Sequence, residues 1–336
     1  MTLPDCIRRR LALPVVCAPM FLISGPALVA AARRAGFIGS FPRENTRSRG
    51  EFADWLSLLR DDAHEAEDAG IRVGPLAVNI PTTTPVDELV ADLDLCRAYG
   101  VDIVITSVGK PDVITPLAHE RGLLVHHDAT SIAFAEKAIA AGVDGLNCIG
   151  AGGGGHSGTI SHLVLIPRLR SMFDGTLSLA GAVATGAAVR AAEVLGADLA
   201  FVGTRFAATT ESLAHPRQKD WMVRGDSRRL RYTAKVNGVP ANWMLDSLEH
   251  HGIDLDALPQ PERRGHDHLP DEVRPWRDLW SAGQGIDLIR DTPTVAELAR
   301  RLAAEYLAAC DVPDHRGVAQ ALVAASDPAA SERTPI

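Results

Sequence analysis

The sequence predicts an α/β chain folded as a (β/α)8 TIM barrel with a smaller C-terminal lid or helical extension. Three observations carry that expectation. Short apolar runs alternate with longer amphipathic stretches from residue 13 to about residue 215. The runs are continuously apolar, as strands of a parallel sheet buried on both faces must be. Glycine-bearing turns come late in the chain, after the sixth, seventh and eighth runs, whereas an open doubly wound sheet carries its glycine fingerprint after the first strand.

The elements follow in order. The first strand is read over Leu13–Ala18 and runs into Pro19 and Met20; a helix from Pro26 to Ala35 stops at Gly36. Phe37–Ser40 is the second strand, with a helix near 50–60 and a polar connection over 61–75. Leu76–Asn79 comes third, then a helix from Pro85 to Tyr99. Asp102–Thr106 and Leu123–His126 precede helices over 111–121 and 131–141. Gly145–Ile149, Leu177–Ala180 and Leu199–Val202 precede helices over 163–173, 185–195 and beyond 205. Gly100, Gly122 and Gly142 stand where helix stops belong. Strand–helix alternation implies βαβ units, and about eight of them match the barrel's size of roughly 200 residues or more.

The expected barrel takes residues 1–221 together with 286–310. Residues 222–285, charged and broken by Gly and Pro, read as a lid on the substrate side. Trp243, Trp276 and Trp280 read as core residues that pack it down. The Ala-, Ser- and Pro-rich stretch 311–336 reads as a flexible tail.

Bulk properties exclude several classes. With 336 residues, 46% of them hydrophobic and 23% charged, the chain can close a core without staples. A formal net charge of -8 offers no basic field to a phosphate backbone, so no nucleic-acid partner is expected. Five cysteines, an odd number without a CxxC pair, argue against a disulfide framework or zinc site. Segment 1–6 has no long apolar run after a basic start, so no secretory leader is expected. No stretch reaches the roughly 18 apolar residues of a membrane span. A cytoplasmic protein acting on a small molecule is the expectation.

Chemistry is expected where barrel strands end and loops begin at the carboxyl face. A phosphate binds there at the loops after strands 7 and 8, on backbone N–H groups. Gly181-Ala182-Val183 and Gly203-Thr204 occupy those places, with Thr185 or Thr204 able to cap the following helix. As a plain βα turn either loop is unremarked; both together, in that order, favour an anion site. The run Gly152–Gly155 costs chain entropy at each residue and adds no side-chain packing, so its use must be positive φ or close approach to a flat ligand. His156 follows it, flanked by Ser157 and Gly158, where an acid, base or hydrogen-bond donor would act. A lone exposed histidine on a flexible loop is the blander reading; the flanking glycines and the strand-end position weigh against it. His127 and Asp128 are secondary candidates for substrate contact. His126, His127 and His156 show no HxH or HxxxH spacing, so no metal is expected. Cys17 and Cys148 lie in strands and read as small core residues.

The joint order of these motifs resembles the nitronate monooxygenases, formerly 2-nitropropane dioxygenases, a family of flavin-dependent TIM-barrel oxidoreductases. The resemblance spans about residues 13–309. It rests on Cys17-Ala18-Pro19-Met20, Ala77-Val78-Asn79, Gly154-Gly155-His156-Ser157-Gly158, Leu179-Ala180-Gly181-Ala182-Val183 and the segment from Gly196 to Phe206. Gly238–Asn242 and Trp280–Gly285 are similar too. It implies non-covalent FMN, with Ala18, Pro19, Met20 and Asn79 at the isoalloxazine ring. Gly154, Gly155, Gly181, Gly203 and Thr204 would hold ring edge, ribityl chain and phosphate. His156 would be the catalytic base, Ser157 a neighbour of the substrate, and Gln284 a further flavin contact. The implied reaction converts an alkyl nitronate or nitroalkane and O2 to a carbonyl compound and nitrite. An NAD(P)H-dependent FMN reductase of an enoyl thioester or quinone is the alternative on the same fold, and a homodimer is the assembly expected. A non-redox phosphosugar barrel and a binding protein with a degenerate site are the remaining readings. The chain departs from the family pattern at Gly152 and Gly153, where many members carry an acidic residue or alanine, and at Ile149, where some carry glutamine.

Overall fold

Where Val, Ile, Leu and Ala run uninterrupted, the chain extends, and the extended segments close on one another. The computed structural model describes residues 3–325. In chain order the first strands are β1 (Val15–Cys17), β2 (Ile38–Pro42), β3 (Leu76–Pro81), β4 (Ile103–Ser107), β5 (Leu124–Ala129) and β6 (Gly145–Ile149). A two-residue strand β7 (Gly155–His156) lies outside the barrel, and β8 (Thr176–Ala180) and β9 (Leu199–Val202) complete it. The eight barrel strands are parallel and close where β1 pairs with β9, Val16 opposite Phe201. The expected (β/α)8 barrel is therefore the fold.

Helices cover the outside. They are α1 (Asp5–Arg8), α2 (Pro26–Arg34), α3 (Arg49–Asp68), α4 (Val86–Ala98), α5 (Ile114–His119), α6 (Ile132–Ala140), α7 (His162–Arg170) and α8 (Gly186–Leu195). The short α1 sets Ile7 and Leu3 against interior residues Ile103 and Leu199, the first residues of β4 and β9. One helix differs from expectation. The stretch 61–75, read as connection, is helical through Asp68. Its buried residues Phe52, Leu56, Leu59, Ala63 and Ala66 recur every three to four positions. Alanines and intervening charges hide that stripe in a plain count of apolar residues.

After β9 the chain makes a single turn, α9 (Thr204–Ala207), then α10 (Pro216–Arg224). It leaves the barrel for β10 (Leu230–Thr233), β11 (Ala241–Met244) and α11 (Leu245–His250). Strands β10, β11 and β7 form a three-stranded antiparallel sheet. The chain returns as α12 (Val295–Cys310), capped by Thr294 and Glu297 in a reciprocal box. α12 packs on α8 at backbone distance: a Cβ added to Gly186 would lie 2.0 Å from Leu302 O. Beyond it α13 (Arg316–Ala325) is an exposed helix within the stretch expected as tail. Residues 326–336 of that tail lie outside the described residues. Among the described residues no helix is long and apolar enough to cross a membrane.

Candidate active site

The carboxyl ends of the barrel strands open into a cavity of about 730 Å³. Ala18, Pro19 and Met20 line it after β1, Asn79 on β3, His127 and Asp128 on β5. Gly154, Gly155 and His156 line it after β6, Gly181 after β8, and Gly203 and Thr204 after β9. The structure thus brings these candidates to one space. Two candidates stay outside it. Ser157 is buried beneath the segment 222–285 (the cover), accepting from Asn242 Nδ2 at 3.4 Å. Gln284 is exposed, and its side chain lies where a Cβ on Gly152 would go. Both stand beside cavity-lining residues in sequence, but their side chains point elsewhere.

The loop after β1 is fixed by local bonds. Asn45 Nδ2 donates to Met20 O at 3.1 Å and Ser24 O at 2.8 Å, and its Oδ1 accepts from Leu22 N–H at 2.8 Å. Asn79 Nδ2 donates to Ile105 O at 3.1 Å, which leaves its Oδ1 for a cavity ligand.

His156 sits on β7 opposite Ala241 of β11. Its Nε2 lies 3.2 Å from Asn237 Nδ2. The Trp276 ring meets the imidazole edge-on, centroids 5.1 Å apart. Burial, with the nearby Arg264 charge, pushes the His156 pKa down to about 4. The ring is therefore neutral at physiological pH.

The turns after β8 and β9 suit an anion. The backbone amides of Gly181, Ala182, Val183, Gly203 and Thr204 find no acceptor among the described residues. These five residues border the cavity, so their amides are open to an incoming acceptor. Gly181 has φ +127° and Ala182 φ +58°, a reversal that suits glycine at the first position. Of the two threonines expected as caps, Thr185 caps α8 through Ala188 N–H at 3.2 Å. Thr204 Oγ1 instead accepts from Gly283 N–H at 2.8 Å. Glu305 takes the Gly186 amide at 2.7 Å, so the start of α8 is occupied from within the chain. The residues thus fit a flat, phosphate-bearing group, with the amides of 181–183 and 203–204 open to its phosphate.

On β5 the two candidates differ. His127 Nδ1 lies 2.6 Å from Thr106 Oγ1, a bond that fixes the ring to the barrel wall. Burial lowers its pKa to about 4. Asp128 accepts from Asn147 Nδ2 at 2.9 Å. Burial raises its pKa to about 6, and the Asn147 bond offsets part of that rise. The strand thiols Cys17 and Cys148 and the helix thiol Cys96 are buried and pushed far up, which removes them as nucleophiles.

The glycine run serves packing as well as shape, contrary to the sequence expectation. Gly152 and Gly155 do take positive φ, +80° and +69°. Between them the cover's backbone presses in. Asn242 Nδ2 donates to Gly153 O at 2.6 Å, and Gln284 N–H to Gly152 O at 2.9 Å. A Cβ on Gly154 would lie 2.9 Å from Gly283 N. Close backbone approach is the use of glycine here, and the partner is protein.

Asn237 and Arg264 were not legible as site residues, Trp276 reads from sequence only as a packing residue, and Gly283 only as part of the Trp280–Gly285 resemblance. They come from the cover, and no local signal in 222–285 ranks them. Trp276 alone carries a backbone mark, φ +71°, which the sequence does not display.

A closed parallel barrel with strand-end glycine turns and a half-enclosed imidazole defines a TIM-barrel enzyme. The nitronate monooxygenase family model matches residues 55–305, well over half of the chain. The chain belongs to the nitronate monooxygenase family. Three curated relatives are similar. A nitronate monooxygenase of Paraburkholderia phytofirmans is 27% identical over 293 residues, 74% of this chain and 77% of that one. A (3aS,4S,5R,7aS)-5-hydroxy-7a-methyl-1-oxo-octahydro-1H-indene-4-carboxyl-CoA dehydrogenase of Rhodococcus jostii is 28% identical over 262 residues, 71% of this chain and 65% of that one. A putative monooxygenase of Mycobacterium tuberculosis is 29% identical over 154 residues, 45% of this chain and 41% of that one. The chain thus spans less than two thirds of two of these relatives. The solved nitroalkane oxidase of Streptomyces ansochromogenes superposes with a TM-score of 0.71 at 25% identity, covering 91% of this chain and 99% of that one.

Proposed function

We propose that the protein is an FMN-dependent nitronate monooxygenase that converts an alkyl nitronate and O2 to a carbonyl compound and nitrite. One observation carries the reading. A single cavity is lined by a neutral imidazole, an apolar strand-end wall and the free amides of 181–183 and 203–204. Ala18, Pro19, Met20 and Asn79 would flank the isoalloxazine ring. Gly154, Gly155, Gly181, Gly203 and Thr204 would border its edge, ribityl chain and phosphate. The flavin supplies the two-electron chemistry and the reaction with O2. The chain's own residues bind and orient the substrate. His156 would meet the nitro group's end of it, and Trp276 would exclude water on that side. Asp128 and His127 would border the substrate's remainder.

The test is anaerobic mixing of purified holoenzyme, after its flavin is released and identified by mass. The expected flavin is FMN, bleached by ethyl nitronate alone. Rapid bleaching by NADH with none by nitronate overturns the reading. It would favour the reductase alternative, acting on an enoyl thioester or quinone, in line with the relative named as a CoA-ester dehydrogenase. Replacing His156 by Ala should leave flavin content unchanged and lower turnover about 100-fold or more.

A further inference from the structure

The bond between Asn237 and His156 has a direction, and a second bond sets it. Asn237 Oδ1 accepts the Val239 N–H at 3.1 Å. Turning the amide over would set its NH2 against that N–H, donor against donor. With the oxygen committed to Val239, the amide nitrogen faces the imidazole at 3.2 Å. An amide nitrogen only donates, so His156 Nε2 must accept. The single proton of the neutral ring then sits on Nδ1. Nδ1 has no partner among the described residues, and His156 lines the cavity. Asn237 itself is buried and does not line it.

We propose that Asn237 is a positioning residue that locks His156 in the Nδ1–H tautomer, so that the ring meets an anionic substrate as a hydrogen-bond donor. This rests on the nitronate reading and sharpens it. A neutral nitroalkane needs a base to remove its α-proton, and a ring whose Nε2 is engaged and whose Nδ1 is protonated holds no free lone pair. A nitronate needs no base, only a donor for its oxygens. The surroundings agree. Arg264 is the cation lining the same cavity, and Glu44, Asp128 and His127 are the other ionisable groups there. Trp276 presents a neutral ring to the imidazole. Protonating Nε2 would oppose the Asn237 amide hydrogens and add a cation beside Arg264. Burial acts in the same direction, which fits the lowered pKa of about 4. A histidine with a lowered pKa stays neutral above it, so the ring should not titrate between about pH 5 and 8.

The experiment is NMR of holoenzyme labelled with 15N-histidine, the His156 signals assigned by their loss in His156→Ala. The expected spectrum shows a protonated Nδ1, a bare Nε2 and no titration across that range. Asn237→Asp supplies a carboxylate acceptor. It should move the proton to Nε2, raise the His156 pKa, and lower kcat/KM on ethyl nitronate by about tenfold or more. The same variant should keep or gain turnover of neutral nitroethane, because Nδ1 now offers a lone pair. A wild-type ring protonated on Nε2 overturns the proposal, as does an Asn237→Asp spectrum with the tautomer unchanged. If that variant fails to fold, the wild-type spectrum decides alone. The tautomer is read without turnover. A correct tautomer in an enzyme that ignores nitronates would sink the substrate reading and leave the lock standing.

Discussion

Phe206 in the barrel and Trp243 in the cover are both fully buried, but the cores they enter are assembled differently. Phe206 meets Phe37 edge-on, centroids 6.1 Å apart, within a core fed by all eight barrel strands. Trp243 packs on Trp276, centroids 4.5 Å apart, in a smaller core drawn from Val236 to Leu279 alone. The barrel core joins residues across the whole chain, so its parts unfold together. The cover core is local; it is joined to the barrel side by an apolar cluster in which Met244, Trp280 and Ala282 pack with Ala207, Ala208 and Met20, by β7–β11 pairing and by polar bonds. Among them are Asn242 to Gly153 O, Gly283 N–H to Thr204, and Tyr232 Oη to Ser157 O at 2.8 Å. Such a unit can open while the barrel stays folded. His156 belongs to both regions: it follows a barrel strand but pairs with a cover strand.

The largest expected effect breaks that comparison or sustains it. Phe206→Ala should cost about 3–5 kcal/mol of global stability, read by denaturant unfolding. Trp243→Ala should leave the barrel's unfolding midpoint much less changed and open 222–285 to protease. Equal shifts in both variants, with no local cleavage, would show one cooperative unit. A smaller effect tests the barrel side of the cavity. In Gly181→Ala the new Cβ would lie 2.9 Å from His162 Nε2, at a φ of +127°. About 1–3 kcal/mol of strain should fall on the anion turn, weakening flavin binding by tenfold or more on titration of the apoprotein. Unchanged affinity would remove the phosphate from that turn. The smallest effect is pH-dependent. Burial raises the Asp128 pKa to about 6. The stability that its neutral form contributes is present below the unfolded pKa of about 4 and is lost as pH rises through about 6. Asp128→Asn should therefore stabilise the protein relative to wild type above about pH 6 and give no gain below about pH 4. A constant difference across that range would mean that Asp128 titrates normally.

Much of the barrel could be read from short-range pattern. Continuous apolar runs can only be buried on both faces, and eight of them separated by helices leave little choice but closure. The strand-end candidates followed, because a strand's end is a position in sequence. Even so, alanines and charges conceal the stripe in α3, and the glycine run, which the sequence assigns to positive φ or close approach to a flat ligand, also meets protein backbone. Gly154 is small because Gly283, more than a hundred residues later, lies against it.

The sequence by itself determined the barrel, the order of its turns and the place of His156. Those depend on local periodicity and on glycine's freedom, which each residue carries with it. Tertiary structure alone decided what His156 is. Its pKa is set by burial beside Arg264, and its proton is placed by Asn237, itself fixed by Val239. Burial and hydrogen-bond direction are properties of packed neighbours. Here those neighbours come from the cover, some eighty residues further along the chain.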